Sequence, residues 1–128
     1  MVEFNDNSKA IYLQIADRIA DDVLRGVYQP DCRIPSVREY AASVQVNANT
    51  VMRAYDHLSQ QGVIYNKRGV GYFIDPSAPD HVRHARIDTI MNTEMVRFFD
   101  GISTLGVTPE ELREYYETFL TRQNENDN

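Results

Sequence analysis

The strongest constraint in the chain is a pair of helix starts set close together, at Ser36 and Asn47. Ser36 stands three residues before Glu39. That is the spacing of a capping box, in which the serine hydroxyl and the glutamate carboxylate each satisfy the other residue's backbone N–H. Asn47 is a second good cap, with Thr50 three positions on. The first helix carries only Val37, Tyr40, Ala41 and Val44 inward and must be short. The second, read over 47–61, places Val51, Ala54, Tyr55 and Leu58 on one face, and Gly62 ends it. Two such short helices are not stable alone and need neighbours to cover their apolar faces.

The flanking sequence supplies them. Residues 8–25 read as an amphipathic helix, with Ile11, Ile15, Ile19, Val23 and Leu24 near helical spacing and Gly26 as its stop. Tyr28 to Asp31 read as a turn. After Gly62, the β-prone runs Val63-Ile64-Tyr65 and Tyr72-Phe73-Ile74 flank a basic, glycine-containing loop, which is a hairpin pattern. Three helices and a hairpin make a winged helix-turn-helix over 8–75. The fold class expected is mainly α with a small β-hairpin, followed by a linker at 76–80 and a two-helix dimerisation region at 81–123. In that region Ile87, Met91, Met95, Phe98, Ile102 and Leu105 step by three or four along one helix, and Ile90 and Phe99 widen the stripe. Thr108-Pro109-Glu110-Glu111 starts the last helix, which carries Leu112, Tyr115, Tyr116, Phe119 and Leu120. Residues 123–128 are polar and read as a frayed end.

A net charge of −6 argues against a nucleic-acid binder until its distribution is considered. Between Arg33 and Tyr72 five cations face two acids, whereas between Pro76 and Asn128 five cations face ten acids. Screening confines charge interactions to about 10 Å, so the local balance decides what a surface attracts. No apolar run approaches the ~20 residues of a membrane span, and the acidic N-terminus lacks a signal pattern, so a cytoplasmic location is expected. Cys32 is the only cysteine, which excludes an intrachain disulfide. His81, His84 and Asp88 share a helix face but lack further ligands and a supporting shell; they read as a solvated face rather than a metal site.

In a winged helix-turn-helix the second helix of the pair enters the major groove by its N-terminal end. The candidate base readers are therefore Asn47, Asn49, Thr50 and Arg53, since Asn matches adenine and Arg matches guanine by planar donor–acceptor edges. Asn47 also reads as a cap, and Thr50 suits a phosphate or a thymine methyl equally. Ser36, Arg38 and the free N–H groups of their helix start form a candidate phosphate clamp. Lys67 and Arg68 lie at the wing tip, where Gly69 allows close backbone approach.

The blocks Arg33-Ile34-Pro35-Ser36-Val37-Arg38-Glu39-Tyr40-Ala41, Val46-Asn47-Ala48-Asn49-Thr50-Val51-Met52-Arg53-Ala54-Tyr55-Asp56-His57-Leu58, Gly62-Val63-Ile64 and Arg68-Gly69-Val70-Gly71-Tyr72-Phe73-Ile74 resemble the GntR family of bacterial regulators, in order and spacing, from about Ile11 to Ile74. The short helical remainder resembles the YtrA-like branch. The resemblance implies a cytoplasmic, dimeric, sequence-specific binder of double-stranded DNA that usually represses, and dimerisation through the C-terminal helices. Three positions depart from the family pattern: Cys32 stands where glycine is usual, Ala48 where arginine or proline is common, and Met52 where arginine is frequent.

The expected dimer surface comprises Ile87, Ile90, Met91, Met95, Phe98, Phe99, Ile102, Leu112, Tyr116 and Phe119, a stripe too wide for one short partner helix to bury. A homodimer implies an inverted-repeat operator. The alternative is a winged helix used for protein–protein contact, since fold does not fix function. No nucleophile–base pair or phosphate loop survives inspection, so an enzyme is not expected. The residues name no cofactor and no effector site.

Overall fold

The structure, a computed structural model, describes Phe4 and residues 9–127. In chain order it contains helices α1 (Ile11–Leu24), α2 (Val37–Val44) and α3 (Ala48–Gln60), strands β1 (Ile64–Lys67) and β2 (Gly71–Ile74), and helices α4 (Ala78–Asn92), α5 (Glu94–Thr104) and α6 (Pro109–Asn126). The fold is mainly α with one β-hairpin, as the sequence indicates. One compact unit ends at Arg86 and a second begins at Ile87.

In the first unit the apolar stripes foreseen from periodicity form the core. Ile15, Ala16, Ile19 and Val23 of α1 meet Val51, Ala54, Tyr55 and Leu58 of α3, with Ile34, Tyr40, Val44, Ile64 and Ile74 completing the cluster. Burying each large aliphatic or aromatic side chain contributes about 1.5–3 kcal/mol against the entropy of ordering the chain. The first helix begins at Ile11, with Ala10 as an uncapped N-cap; the expected start at Ser8 lies outside the described residues. The Ser36–Glu39 capping box is formed in both directions. A three-residue turn then joins α2 to α3, made possible by Gln45 in the left-handed region at φ 58°. At the end of α3, Gly62 takes φ 74°, and its N–H and that of Val63 bond back to Ser59 and Leu58. This satisfies the last carbonyls of the helix and aims the chain into β1.

The wing is antiparallel in the register Ile64↔Ile74, Tyr65↔Phe73, Asn66↔Tyr72 and Lys67↔Gly71. It is wider than the sequence suggests. The segment before α2 pairs with β2 through an Arg33↔Phe73 bridge, with Ile34 N–H donating to Tyr72 O (3.0 Å) and Ile74 N–H to Cys32 O (3.0 Å). The left-handed residue of the preceding turn is Asp31 (φ 62°), not Cys32, which explains why a glycine is not needed at position 32.

The expected linker at 76–80 is a helix start. Asp75 accepts from the Ser77 N–H (2.9 Å) and hydroxyl (2.6 Å), Pro79 sits in the tolerant first turn, and Ala78 and Val82 are buried in the core. Four residues further on, Arg86 donates to the Asp21 carboxylate and to the Asp17 carbonyl (2.9 Å), so α4 is fastened to α1 at successive turns.

In the second unit, the long helix expected from Ile87 to Leu105 is broken at Thr93 into the end of α4 and α5. The Thr93 hydroxyl donates to the Thr89 carbonyl (2.6 Å) and its backbone leaves the helical region at φ −125°, ψ −79°. Such back-bonding competes with the helical ladder. Gly106 closes α5, and a second capping box, Thr108 with Glu111, opens α6 with Pro109 at its first position. The last helix runs to Asn126, past the residue at which fraying was expected.

Candidate nucleic-acid interface

The outer end of α3 is built by its cap. Asn47 Oδ1 accepts the Asn49 N–H at 2.8 Å, which commits the amide oxygen to the helix start. Bidentate pairing with adenine needs both amide atoms, so Asn47 retains only its NH₂ donors. The side chain of Asn49 is exposed and makes no hydrogen bond among the described residues. Thr50 is half-buried and its N–H closes on Asn47 O (3.0 Å). Arg53, one turn beyond Asn49, is exposed, and its guanidinium lies over the Tyr12 ring at 4.2 Å. Ala48, at the tip of the helix, offers no polar group.

The start of α2 supplies an electropositive end. Ser36 Oγ accepts the Glu39 N–H (3.1 Å), and the Glu39 carboxylate accepts the Ser36 N–H (3.2 Å). These bonds to Ser36 hold the Glu39 carboxyl below its usual range, with a smaller contribution from the Arg33 charge. The N–H groups of Val37 and Arg38 carry no hydrogen bond among the described residues. The Ser36 hydroxyl, whose hydrogen bond is the first cause of the lowered Glu39 pKa, is engaged within the cap. Arg38 is exposed and has no ion-pair partner among the described residues. Unbonded N–H groups at a helix start and an unpaired arginine are the elements from which an anion site is built, by dipole and charge.

The wing tip contains Arg68, Gly69 (φ 79°) and Val70, all exposed, closed by the Val70 N–H to Lys67 O bond (2.9 Å). Lys67 is less free than its sequence position suggests, for its ammonium sits 4.8 Å from the Phe73 ring centroid. The wing is in turn held to α3. The Tyr72 ring meets Tyr55 edge-to-face at 5.0 Å, and the Tyr72 hydroxyl reaches Met52 Sδ at 3.9 Å. Met52 thus belongs to the α3–wing junction.

Arg33 is a cation that the sequence reading left unassigned. Its side chain crosses Gly71 so closely that a Cβ there would lie 2.8 Å from Nε. Its charge is also felt by Glu39 in the first turn of α2. Arg33 therefore stands between the α2 start and the tip end of β2. The signal that could have found it is the glycine directly after the tip turn, which is needed for close approach as much as for turning. His81, considered above with His84 and Asp88, instead packs over Gly62, where a Cβ would be 3.3 Å from its Nδ1.

The remaining candidates lie in the second unit. No described residue from Ile87 to Asp127 is buried. Ile87, Ile90, Met91, Phe98, Phe99, Tyr116 and Phe119 are exposed, as are Val96, Tyr115 and Leu120, while Met95, Ile102 and Leu112 are half-buried. No helix among the described residues is long and apolar enough to cross a membrane.

Comparison with known proteins agrees with this architecture. Residues 11–74 match the family described as bacterial regulatory proteins, gntR family. An uncharacterized HTH-type transcriptional regulator, YhcF of Bacillus subtilis, is 36% identical over 88% of this chain and 92% of its own length. The HTH-type transcriptional repressor YtrA of the same organism is 31% identical over 85% of this chain and 83% of its length. Among solved structures, a putative GntR-family regulator from Bacteroides thetaiotaomicron is 49% identical and superposes with a TM-score of 0.74, covering 89% of this chain and 99% of that one. YtrA from Sulfolobus acidocaldarius, 25% identical, gives 0.54 over 96% and 99%. With a winged helix-turn-helix whose α3 carries an exposed polar end, and relatives matched along nearly their whole length, the chain belongs to the GntR family of DNA-binding transcription regulators, among relatives that include YtrA.

Proposed function

We propose that this regulator works as a homodimeric repressor that occupies an inverted-repeat operator in the cytoplasm, with no catalytic activity of its own. The observation that carries the reading is the outward end of α3, where Asn49 is free to pair with a base and Arg53 follows one turn on. Around it, Ser36 and Arg38 at the α2 start and Lys67, Arg68 and Gly69 at the wing supply phosphate contacts on either side. Asn47 contributes chiefly as the cap, and Thr50 through its methyl or hydroxyl.

Dimerisation follows from burial. A helical segment with no buried residue of its own has too little core to be stable. Its apolar rows, Met95-Phe98-Phe99-Ile102 on α5 and Leu112-Tyr116-Phe119 on α6, together with Ile87, Ile90 and Met91 on α4, need a cover. A second copy offers the same rows by symmetry. Two winged units related by a dyad then read two half-sites in opposite orientation. The division into a winged unit and a helical dimerisation unit is kept in this reading, but the boundary expected at 76–80 moves to Arg86, because Ala78 and Val82 anchor the start of α4 to the winged unit.

Gel shifts across a salt series test this. Log affinity should fall with log salt, and Arg38→Ala should make the slope shallower by about two for a dimer, one per subunit. A winged helix used only for protein contact gives no shift at low salt, and no change with Arg38→Ala.

A further inference from the structure

Tyr12 joins the start of α1 to the outward face of α3 in a way the DNA-reading scheme does not use. Arg53 and His57 are four residues apart on α3 and so share a face. Both address the same ring. The Arg53 guanidinium lies over the Tyr12 face at 4.2 Å, and His57 meets it nearly perpendicular, with centroids 6.0 Å apart. Tyr12 is half-buried and packs against the core, so its ring is fixed from behind. Asp56 lies three residues beyond Arg53, within range of an ion pair along the helix. No Arg53–Asp56 pair is present among the described residues, whose ion pairs are Lys9–Asp17 and Arg86–Asp21.

We propose that Tyr12 is a positioning residue of the DNA surface: its ring holds the Arg53 guanidinium away from Asp56 and ready for the duplex. The inference rests on the DNA-binding reading above and deepens it. An arginine on an exposed helix face has many rotamers, and selecting one on binding costs conformational entropy. A ring that stacks the planar guanidinium selects that rotamer beforehand and leaves its edge N–H groups free to donate. Without the ring, the Asp56 carboxylate competes for the cation.

The test is a double-mutant cycle on a duplex that the wild-type protein selects from genomic fragments, with thermal unfolding recorded alongside. Tyr12→Leu should weaken binding by about three- to tenfold, the range for a partly exposed cation–π contact. The same change in an Arg53→Ala background should have no further effect. Tyr12→Phe keeps the ring face and should bind like wild type. Asp56→Asn should raise affinity more in Tyr12→Leu than in the wild type, a difference that a purely structural role of Tyr12, or simple loss of a negative charge, does not predict. Arg53→Lys, at an exposed position, keeps the charge but stacks poorly; it should weaken binding and gain more from Asp56→Asn than the wild type does, even if Tyr12→Leu does not fold. Equal losses from Tyr12→Leu in both backgrounds, or no greater gain from Asp56→Asn in these variants than in the wild type, overturn the proposal while leaving the DNA-binding reading intact. Failure of the wild-type protein to bind any duplex overturns both.

Discussion

Two tyrosines in the core undergo the same chemical change with different expected results. Tyr55 is fully buried, and its hydroxyl donates to the Pro35 carbonyl at 2.6 Å. Pro35 directly precedes the Ser36 cap, so this bond ties the middle of α3 to the start of α2. Burial, the first cause, pushes the Tyr55 phenol far above its ordinary pKa, so it remains a donor at any physiological pH. Tyr40 is also buried, but its hydroxyl closes no hydrogen bond of normal geometry among the described residues; nearby Arg18, through its charge and a weak hydrogen bond, partly opposes the upward push of burial. Each Tyr→Phe change keeps the edge-to-face ring contacts, Tyr40 to Tyr55 at 6.3 Å and Tyr55 to Tyr72 at 5.0 Å. Tyr55→Phe removes a donor and leaves the Pro35 carbonyl without it, at a cost of about 1–2 kcal/mol. Tyr40→Phe removes a desolvated hydroxyl that only the weak Arg18 contact compensates, and should change stability by no more than about 0.5 kcal/mol. Urea denaturation at fixed protein concentration reads the difference as a lower midpoint at unchanged slope for Tyr55→Phe alone. In DNA binding, only Tyr55→Phe should also lose affinity, because the α2–α3 angle is loosened. Equal destabilisation by both variants would refute the assignment of the Pro35 bond as the source of the effect.

Three further outcomes follow from the geometry. Gly71→Ala places a Cβ 2.8 Å from Arg33 Nε and must displace that side chain; salt-dependent gel shifts should show weaker binding, with Arg33→Ala causing little additional loss in the Gly71→Ala background. Phe98→Glu puts a charge on the exposed apolar row of α5 and should convert the dimer to monomer in sedimentation, with operator affinity falling at least tenfold, about 1.4 kcal/mol or more. Acid should weaken the α2 start: the Glu39 pKa is lowered from 4.5 by its bonds to Ser36, so its contribution is complete above that value and disappears as pH falls through the folded-state pKa. Unfolding midpoints measured between pH 6 and 3 should therefore show a smaller acid-induced loss in Ser36→Ala, which loses the hydroxyl bond but keeps the backbone N–H bond, than in the parent.

How much of this was legible before the structure depends on whether the signal was local. The capping boxes at Ser36 and Thr108 and the faces of α1 and α3 were readable because helix periodicity and caps involve residues within one or two turns. The α4 start was misread because Pro76, Ser77 and Pro79 have linker composition, although Asp75 and Ser77 act as a cap and Pro79 falls in the first turn. Only the burial of Ala78 and Val82, a tertiary fact, decides between those readings. The break at Thr93 was hidden because an apolar step of three or four runs on unbroken across it; the Thr93 hydroxyl bonds back to the Thr89 carbonyl there, but Thr121 bonds to the Glu117 carbonyl in the same way within an unbroken α6. In the candidate site, Asn49, Arg38 and the wing tip could be nominated from helix and hairpin ends. Arg33 over Gly71 and Tyr12 under Arg53 could not, because each pair joins segments far apart in sequence.

The charge of the chain fits the proposed division of labour. Non-specific attraction to DNA scales with the number of phosphates a protein neutralises and is indifferent to sequence. A uniformly basic dimer would be held by any duplex through many surfaces. Here residues 87–128 carry three arginines against nine acids, so that segment repels a phosphate backbone at close range. Attraction is left to the few cations around α2, α3 and the wing, and only an approach that presents them is favoured. The base contacts proposed for Asn49 would be unaffected by that repulsion, since they would act through hydrogen bonds at the groove floor. Acidic residues outside the interface thus lower binding to random sequence more than binding to an operator. Because a genome offers vastly more non-specific sites than operators, it is this ratio, and not absolute affinity, that a regulator needs.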